Sequence, residues 1–143
     1  MIESAQEFIR LRTSTVKAEY DRAAHEPAPL AVWWELVREH PHMRAWIAHN
    51  KTVPVEILVA LSEDDSAAVR SAVAMKRSAP PAILDRLARD ADSSVRQAVA
   101  FNAKTPRSVL EILAGDPWDA VADKAKARLA EMLEAPVPGS DEH

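Results

Sequence analysis

The sequence predicts an all-α chain: a right-handed α-solenoid of about four two-helix repeats of 26 residues, closed by capping helices. Three observations carry this. Met43-Arg44-Ala45-Trp46-Ile47-Ala48, Val69-Arg70-Ser71-Ala72-Val73-Ala74 and Val95-Arg96-Gln97-Ala98-Val99-Ala100 lie 26 positions apart with no gap. A fixed period in this range marks stacked-repeat architectures. A second set of columns keeps the same interval: Pro54, Pro80 and Pro106; Ile57, Ile83 and Val109; Leu58, Leu84 and Leu110; Leu61, Leu87 and Leu113; Asp64, Asp90 and Asp116. Finally, the chain has two glycines against ten prolines. Strands joined by tight turns consume glycine, whereas proline suits the start of a helix.

From residue 2 to 11, Ile2, Ala5, Phe8 and Ile9 fall at helical spacing. Thr13-Ser14-Thr15 then competes with helix and offers a cap, so a second helix is expected over about 16–25. Pro27 and Pro29 end it and open a third, which carries Leu30, Trp33, Trp34, Leu36 and Val37. This pair reads as a degenerate first repeat over 15–42, as an end unit with one neighbour should be. The regular repeats follow at 43–68, 69–94 and 95–120. Their first helices are expected over 41–49, 67–75 and 94–101, and their second over 54–62, 81–89 and 106–114.

Boundary residues suit this division. Thr105-Pro106 reads as an N-cap followed by a proline in the first helical position, and Asp116-Pro117 repeats the device. Ser66 and Ser93 are candidate caps, and Asn50 and Asn102 stand where a left-handed residue could end a helix. The last helix, about 117–133, places Lys124 where Ala72 and Ala98 stand and adds Lys126, Arg128 and Glu131. It reads as a C-terminal cap (121–134) with one wet face. One domain over 1–134 is expected, followed by a disordered tail over 135–143. No helix of this length is stable alone in water. Each must bury its Val/Ala or Ile/Leu/Leu face against the neighbouring repeat.

Composition excludes several chemistries. With no cysteine, disulfides, iron–sulfur ligation and cysteine nucleophiles are absent. A net charge of −4 argues against nucleic acid as a partner, because that binding needs a basic footprint. The start, Met1-Ile2-Glu3-Ser4-Ala5-Gln6-Glu7, lacks the basic region and apolar run of a signal peptide. No apolar run approaches the roughly 18 residues that a membrane span requires. A soluble cytoplasmic protein with no membrane partner is the expectation.

Val-Arg-x-x-Val-Ala, then Asn-x-x-Thr-Pro, then Leu-x-x-Leu-Ala-x-Asp resembles the leucine-rich-repeat-variant unit, a relative of HEAT and armadillo repeats. The copy over 95–116 is the fullest, with Asn102 and Thr105-Pro106 in place; the copy from Val69 has Lys76 and Ala79 there, and the first has Trp46 where the others have Ala. The resemblance spans about residues 33–133. It implies a helical stack, with the second element of each pair allowed to be a short 3-10 segment. HEAT-like relatives are mostly protein-binding scaffolds, and one branch excises alkylated DNA bases. The cysteine-ligated cluster domain of some variant-repeat proteins has no counterpart here.

Four groups of residues bear on function. Asp64 with Arg70 and Asp90 with Arg96 read as a structural ladder between repeats, and Asp116, facing Ala122, reads as a copy that has lost its arginine. His40 and His42 flank Pro41, with His49 further on, but nothing completes a zinc spacing, and His49 shares a column with Met75 and Phe101 that suggests packing. Trp33 and Trp34 point about 100° apart on one helix, so either one faces outward as an anchor or both pack at the bulky end of the stack. Arg44, His49, Asn50 and Lys51, with Lys76, Arg77, Lys104 and Arg107 in related positions, gather near one rim, with Lys51, Arg77 and Lys104 as a basic line. No Ser-His-Asp arrangement, phosphate loop or paired carboxylate has the required spacing. The expectation is a non-catalytic scaffold without metal or cofactor, monomeric or weakly dimeric. It would bind a protein, acidic in character, through Trp33 or Trp34, Arg44, Asn50, Lys51, Lys76, Arg77 and Lys104. A DNA-binding or base-excising solenoid is the alternative.

Overall fold

The structure, a computed structural model, describes residues 1–134 of the chain, so the tail expected over 135–143 lies outside the described residues. The described residues form ten α-helices and one 3-10 turn, with no strand among them. No helix among them is long and apolar enough to cross a membrane.

The chain begins with three helices. In α1 (Ala5–Thr13), Ser4 caps the start, its Oγ accepting the Glu7 amide at 3.0 Å, a device worth about 1 kcal/mol. Ala5, Phe8 and Leu11 are buried on one face, and α2 (Lys17–His25) packs alongside. α3 (Leu30–Glu39) lies on α1, where Phe8 and Trp33 meet edge-on at 5.6 Å between centroids. Trp33 is buried, and Trp34 is half-buried against the core. Ile2 is also buried, and its amide donates to the Pro27 carbonyl at 2.9 Å, tying the terminus to the loop between α2 and α3.

A 3-10 turn (Pro41–Met43) leads into α4 (Arg44–His49), followed by α5 (Val55–Leu61), α6 (Ala67–Ala74), α7 (Pro81–Leu87), α8 (Ser93–Phe101), α9 (Arg107–Leu113) and α10 (Asp119–Glu134). α4, α6, α8 and α10 pack side by side in that order, while α5, α7 and α9 each lie against the helix before and the helix after. The apolar columns point inward: Ile57, Leu58, Leu61, Ile83, Leu84, Leu87, Val109, Leu110 and Leu113 are all buried. Each such side chain contributes roughly 1.5–3 kcal/mol by leaving water. Burial, not intrinsic propensity, therefore holds these helices.

Several boundaries differ from the sequence reading. Pro54 and Pro106 occupy the N-cap, not the first helical position, with ψ of 151° and 154°; Pro80 does the same ahead of Pro81. Thr105 does not cap α9, because its hydroxyl is buried and donates to the Val99 carbonyl at 2.6 Å. Ser93 lies inside α8, and Asp92 is the cap, its Oδ1 accepting the Ser94 amide at 2.8 Å. Ser66 holds the N-cap position of α6 without a side-chain hydrogen bond. Asp116 accepts the Trp118 amide at 2.9 Å, and α10 starts later, at Asp119. Asn50 and Asn102 are extended, with φ of −65° and −67°, and not left-handed. α5, α7 and α9 are α-helical, and the one 3-10 segment among the described residues precedes α4.

Candidate functional site

The arginines at 44, 70 and 96 each stand in the first turns of a helix, where a long side chain leans toward the helix N-terminus. There each fork meets two turns at once. Arg70 Nη1 donates to the Asp64 carbonyl at 2.8 Å, while its Nε reaches Asp90 Oδ2 at 2.8 Å. Arg96 repeats this with the Asp90 carbonyl at 2.8 Å and Asp116 Oδ2 at 2.7 Å. Arg44 binds Asp64 Oδ1 at 2.9 Å and the Val37 carbonyl at 2.8 Å. The side-chain pairs thus run twenty residues forward instead of six back. Asp116 keeps an arginine, and Arg44, read as a partner contact, is held inside the ladder. The same aspartates shape the entry of the next helix: Asp64 accepts the Ser66 amide at 3.0 Å and Asp90 the Asp92 amide at 2.9 Å. Burial by itself would raise the Asp90 and Asp116 carboxyls, but the guanidinium and amide donors outweigh it and hold both below the ordinary aspartate value.

A second column, Asn50, Lys76, Asn102 and Arg128, reaches backward. Asn50 Nδ2 donates to the carbonyls of Ala23 and Glu26 at 2.8 and 3.0 Å. Lys76 Nζ donates to the Asn50 carbonyl at 2.6 Å, Asn102 to Ala74 and Lys76 at 2.8 Å each, and Arg128 Nη1 to Ala100 at 3.0 Å. These carbonyls lie at helix C-termini, where no intrahelical donor remains. Asn50 is fully buried by this work and offers no surface to a partner. Burial first, and then Lys51 nearby, lowers the Lys76 ammonium from its ordinary value.

What remains exposed on α4, α6 and α8 is a stripe of large side chains. Trp46, Met75 and Phe101 are 40%, 51% and 49% exposed, and His49 is exposed beside Trp46, ring centroids 5.7 Å apart. The column of His49, Met75 and Phe101 is therefore surface and not packing. Cations lie on the aromatic rings: the Arg12 guanidinium carbon is 3.4 Å from the Trp46 centroid, and Lys124 Nζ is 4.8 Å from that of Phe101. Such contacts are worth about 0.5–1 kcal/mol at exposed sites.

Two clefts open on this stripe. The first, about 530 Å³, is walled by Arg12, Ser14, Tyr20, Asp21, Trp46 and His49 over Ala23 and Ala24. The second, about 440 Å³, is walled by His49, Lys51, Ala72, Met75, Lys76, Arg77 and Ser78. Burial, and then the positive charges of Lys76 and Arg12, lower the His49 imidazolium from its ordinary value. Lys51, Arg77 and Lys104 are exposed, and none of the ion pairs among the described residues includes them. Lys51 and Arg77 share the second cleft; Lys104 lies outside it.

Of the residues singled out from the sequence, the structure thus brings Lys51, Lys76 and Arg77 together and sends Trp33, Arg44 and Asn50 inward. Arg12 and Tyr20 escaped the sequence reading, and the column of His49, Met75 and Phe101 was expected to pack. Trp46 had a signal, since a tryptophan in an alanine column needs open space. His40 and His42 lie edge-on at 6.0 Å, and no group of three or more His, Asp or Glu among the described residues is placed to hold a metal ion. Comparison with known proteins found no family model, no curated protein and no solved structure that matches this chain.

Proposed function

We propose that the chain is a non-catalytic interaction module that binds an acidic protein through the outer face of α4, α6 and α8 and its basic rim. The observation that carries this reading is that exposed Trp46, Met75 and Phe101 lie beside cations outside the ion pairs of the described residues: Arg12 on Trp46, Lys124 on Phe101, and Lys51 and Arg77 in the cleft that Met75 lines. Large rigid side chains beside unpaired charge are what a partner's anchor residues need. We further propose that residues 15–120 are four two-helix units of a HEAT-like, right-handed stack, with α10 as the cap. The recurrence of the Arg–Asp rung and the Asn/Lys/Arg column every 26 residues supports this. Repeats of this kind give a long preformed surface.

The second reading, a DNA-binding or base-excising solenoid, draws on Asp21 in an aromatic cleft that Arg12 also lines. Against it stand the net charge of −4 and the engagement of Asp21 by Lys17 at 2.6 Å. Affinity capture with the wild type and with the Lys51→Glu/Arg77→Glu variant separates the two. A captured protein lost on charge reversal supports the first reading; recovered DNA and no protein refutes it.

A further inference from the structure

The two clefts share a wall, His49, and differ in chemistry. On one side the rings of Tyr20 and Trp46 stand over a floor of small side chains, in a space of about 530 Å³. On the other, Lys51, Lys76 and Arg77 converge with no carboxylate in the lining. Resting on the reading that this face binds a protein, we propose that the clefts form a two-part receptor for one short acidic segment. An aromatic side chain enters between Tyr20 and Trp46, and the carboxylates beside it enter among Lys51, Lys76 and Arg77.

Volume, rigidity and charge each support this. The first cleft falls within the range of about 300–1,000 Å³ typical of sites that enclose organic groups. Trp46 is already held by contacts with the Arg12 guanidinium at 3.4 Å and the His49 ring at 5.7 Å, so little freedom is lost when a guest packs against it. In the second cleft, Lys76 is held at the Asn50 carbonyl with Lys51 near, and an incoming carboxylate relieves their mutual repulsion. The common wall makes the guest groups near neighbours in sequence. The receptor is also short, because Ala103 stands where Lys51 and Arg77 stand in the preceding units.

His49 provides an internal reporter. It is faced by Arg12 from α1, Asp21 from α2, and Lys51, Lys76 and Arg77 from the loops after α4 and α6. Burial and then the nearby cations disfavour its charged form while the face is empty, and guest carboxylates favour it. Binding therefore takes up a proton and tightens as the pH falls toward the ordinary imidazole value of about 6.5.

The test uses fluorescence anisotropy with a labelled peptide, Glu-Asp-Glu-Phe-Asp-Glu-Asp, a control with Ser for Phe, and a twelve-nucleotide single-stranded DNA. The Phe peptide should bind at least about tenfold more tightly than the Ser control. Trp46→Ala should remove that advantage and leave Ser-peptide binding unchanged, while Lys51→Glu/Arg77→Glu should weaken both peptides at least about tenfold. His49→Gln should abolish the tightening at lower pH. Lys51 and Arg77 have exposed side chains outside the ion pairs, so the double variant folds, as circular dichroism will report. Equal binding of the two peptides, both lost on charge reversal, overturns the two-part receptor and leaves the protein-binding face standing. Peptides that leave the His49 and Lys51 NMR signals unmoved overturn both. DNA bound more tightly than either peptide at the same salt also overturns both.

Discussion

Replacing Arg96 by alanine tests the ladder directly. The guanidinium donates to Asp116 through Nε at 2.7 Å and Nη2 at 3.4 Å, and to the Asp90 and Ala91 carbonyls at 2.8 and 3.2 Å. The Asp116 side chain is only 4% exposed and that of Arg96 15%. Truncation leaves a nearly buried carboxylate without its cation and two turn carbonyls without a donor. Breaking a buried pair from one side costs about 3–5 kcal/mol; the partial access of Arg96 to water and the Trp118 amide still held by Asp116 place this case near the lower end. For a domain of this size, about 3 kcal/mol corresponds to a fall in Tm of roughly 6–12 °C, read by circular dichroism at 222 nm and pH 7.

The loss should also depend on pH. Asp116 titrates below its ordinary value when folded, so its contribution is complete above the unfolded aspartate pKa of about 3.9 and disappears as the pH falls through the folded value. The gap between wild type and Arg96→Ala should narrow below about pH 4. A Tm within about 2 °C of wild type at pH 7, together with lost partner binding, would refute the ladder assignment and make Arg96 a contact residue.

The remaining predictions concern the backward-reaching column and the N-terminus. Asn102→Ala strands the Ala74 carbonyl, while that of Lys76 keeps the Ala79 amide at 3.1 Å, and should cost about 1–3 kcal/mol in urea denaturation. Lys76→Asn replaces a half-buried ammonium, disfavoured by burial and by Lys51, with the residue found at 50 and 102, and should raise Tm by a few degrees; a lowered Tm would show that the column does not carry one role. Glu26 is held down to about 2 by the Arg22 guanidinium and then by the terminal amine of Met1. Its contribution is complete above the usual 4.5 and is lost between that value and about 2. Protection of the Ile2 amide from hydrogen exchange should fall over that window in wild type, and Glu26→Gln should flatten the dependence.

Sequence alone determined which residues would be helical and which faces would be apolar. Val/Ala and Ile/Leu/Leu columns at helical spacing depend only on local periodicity, and a residue such as Leu84 is buried whichever neighbour covers it. The basic residues of the second cleft were legible too, because Lys51 and Arg77 occupy the same place in successive copies. Tertiary structure decided the polar pairings between helix pairs. Asp64 is six residues from Arg70 and twenty from Arg44, and only the stacking of one helix entry beside the next makes the longer separation the shorter path to a guanidinium. Asn50 looked like an exposed turn residue because its acceptors, the Ala23 and Glu26 carbonyls, belong to a different helix pair. The aromatic cleft was hidden for the same reason. Arg12, Tyr20 and Trp46 come from three separate helices, and no spacing along the chain encodes how those helices meet.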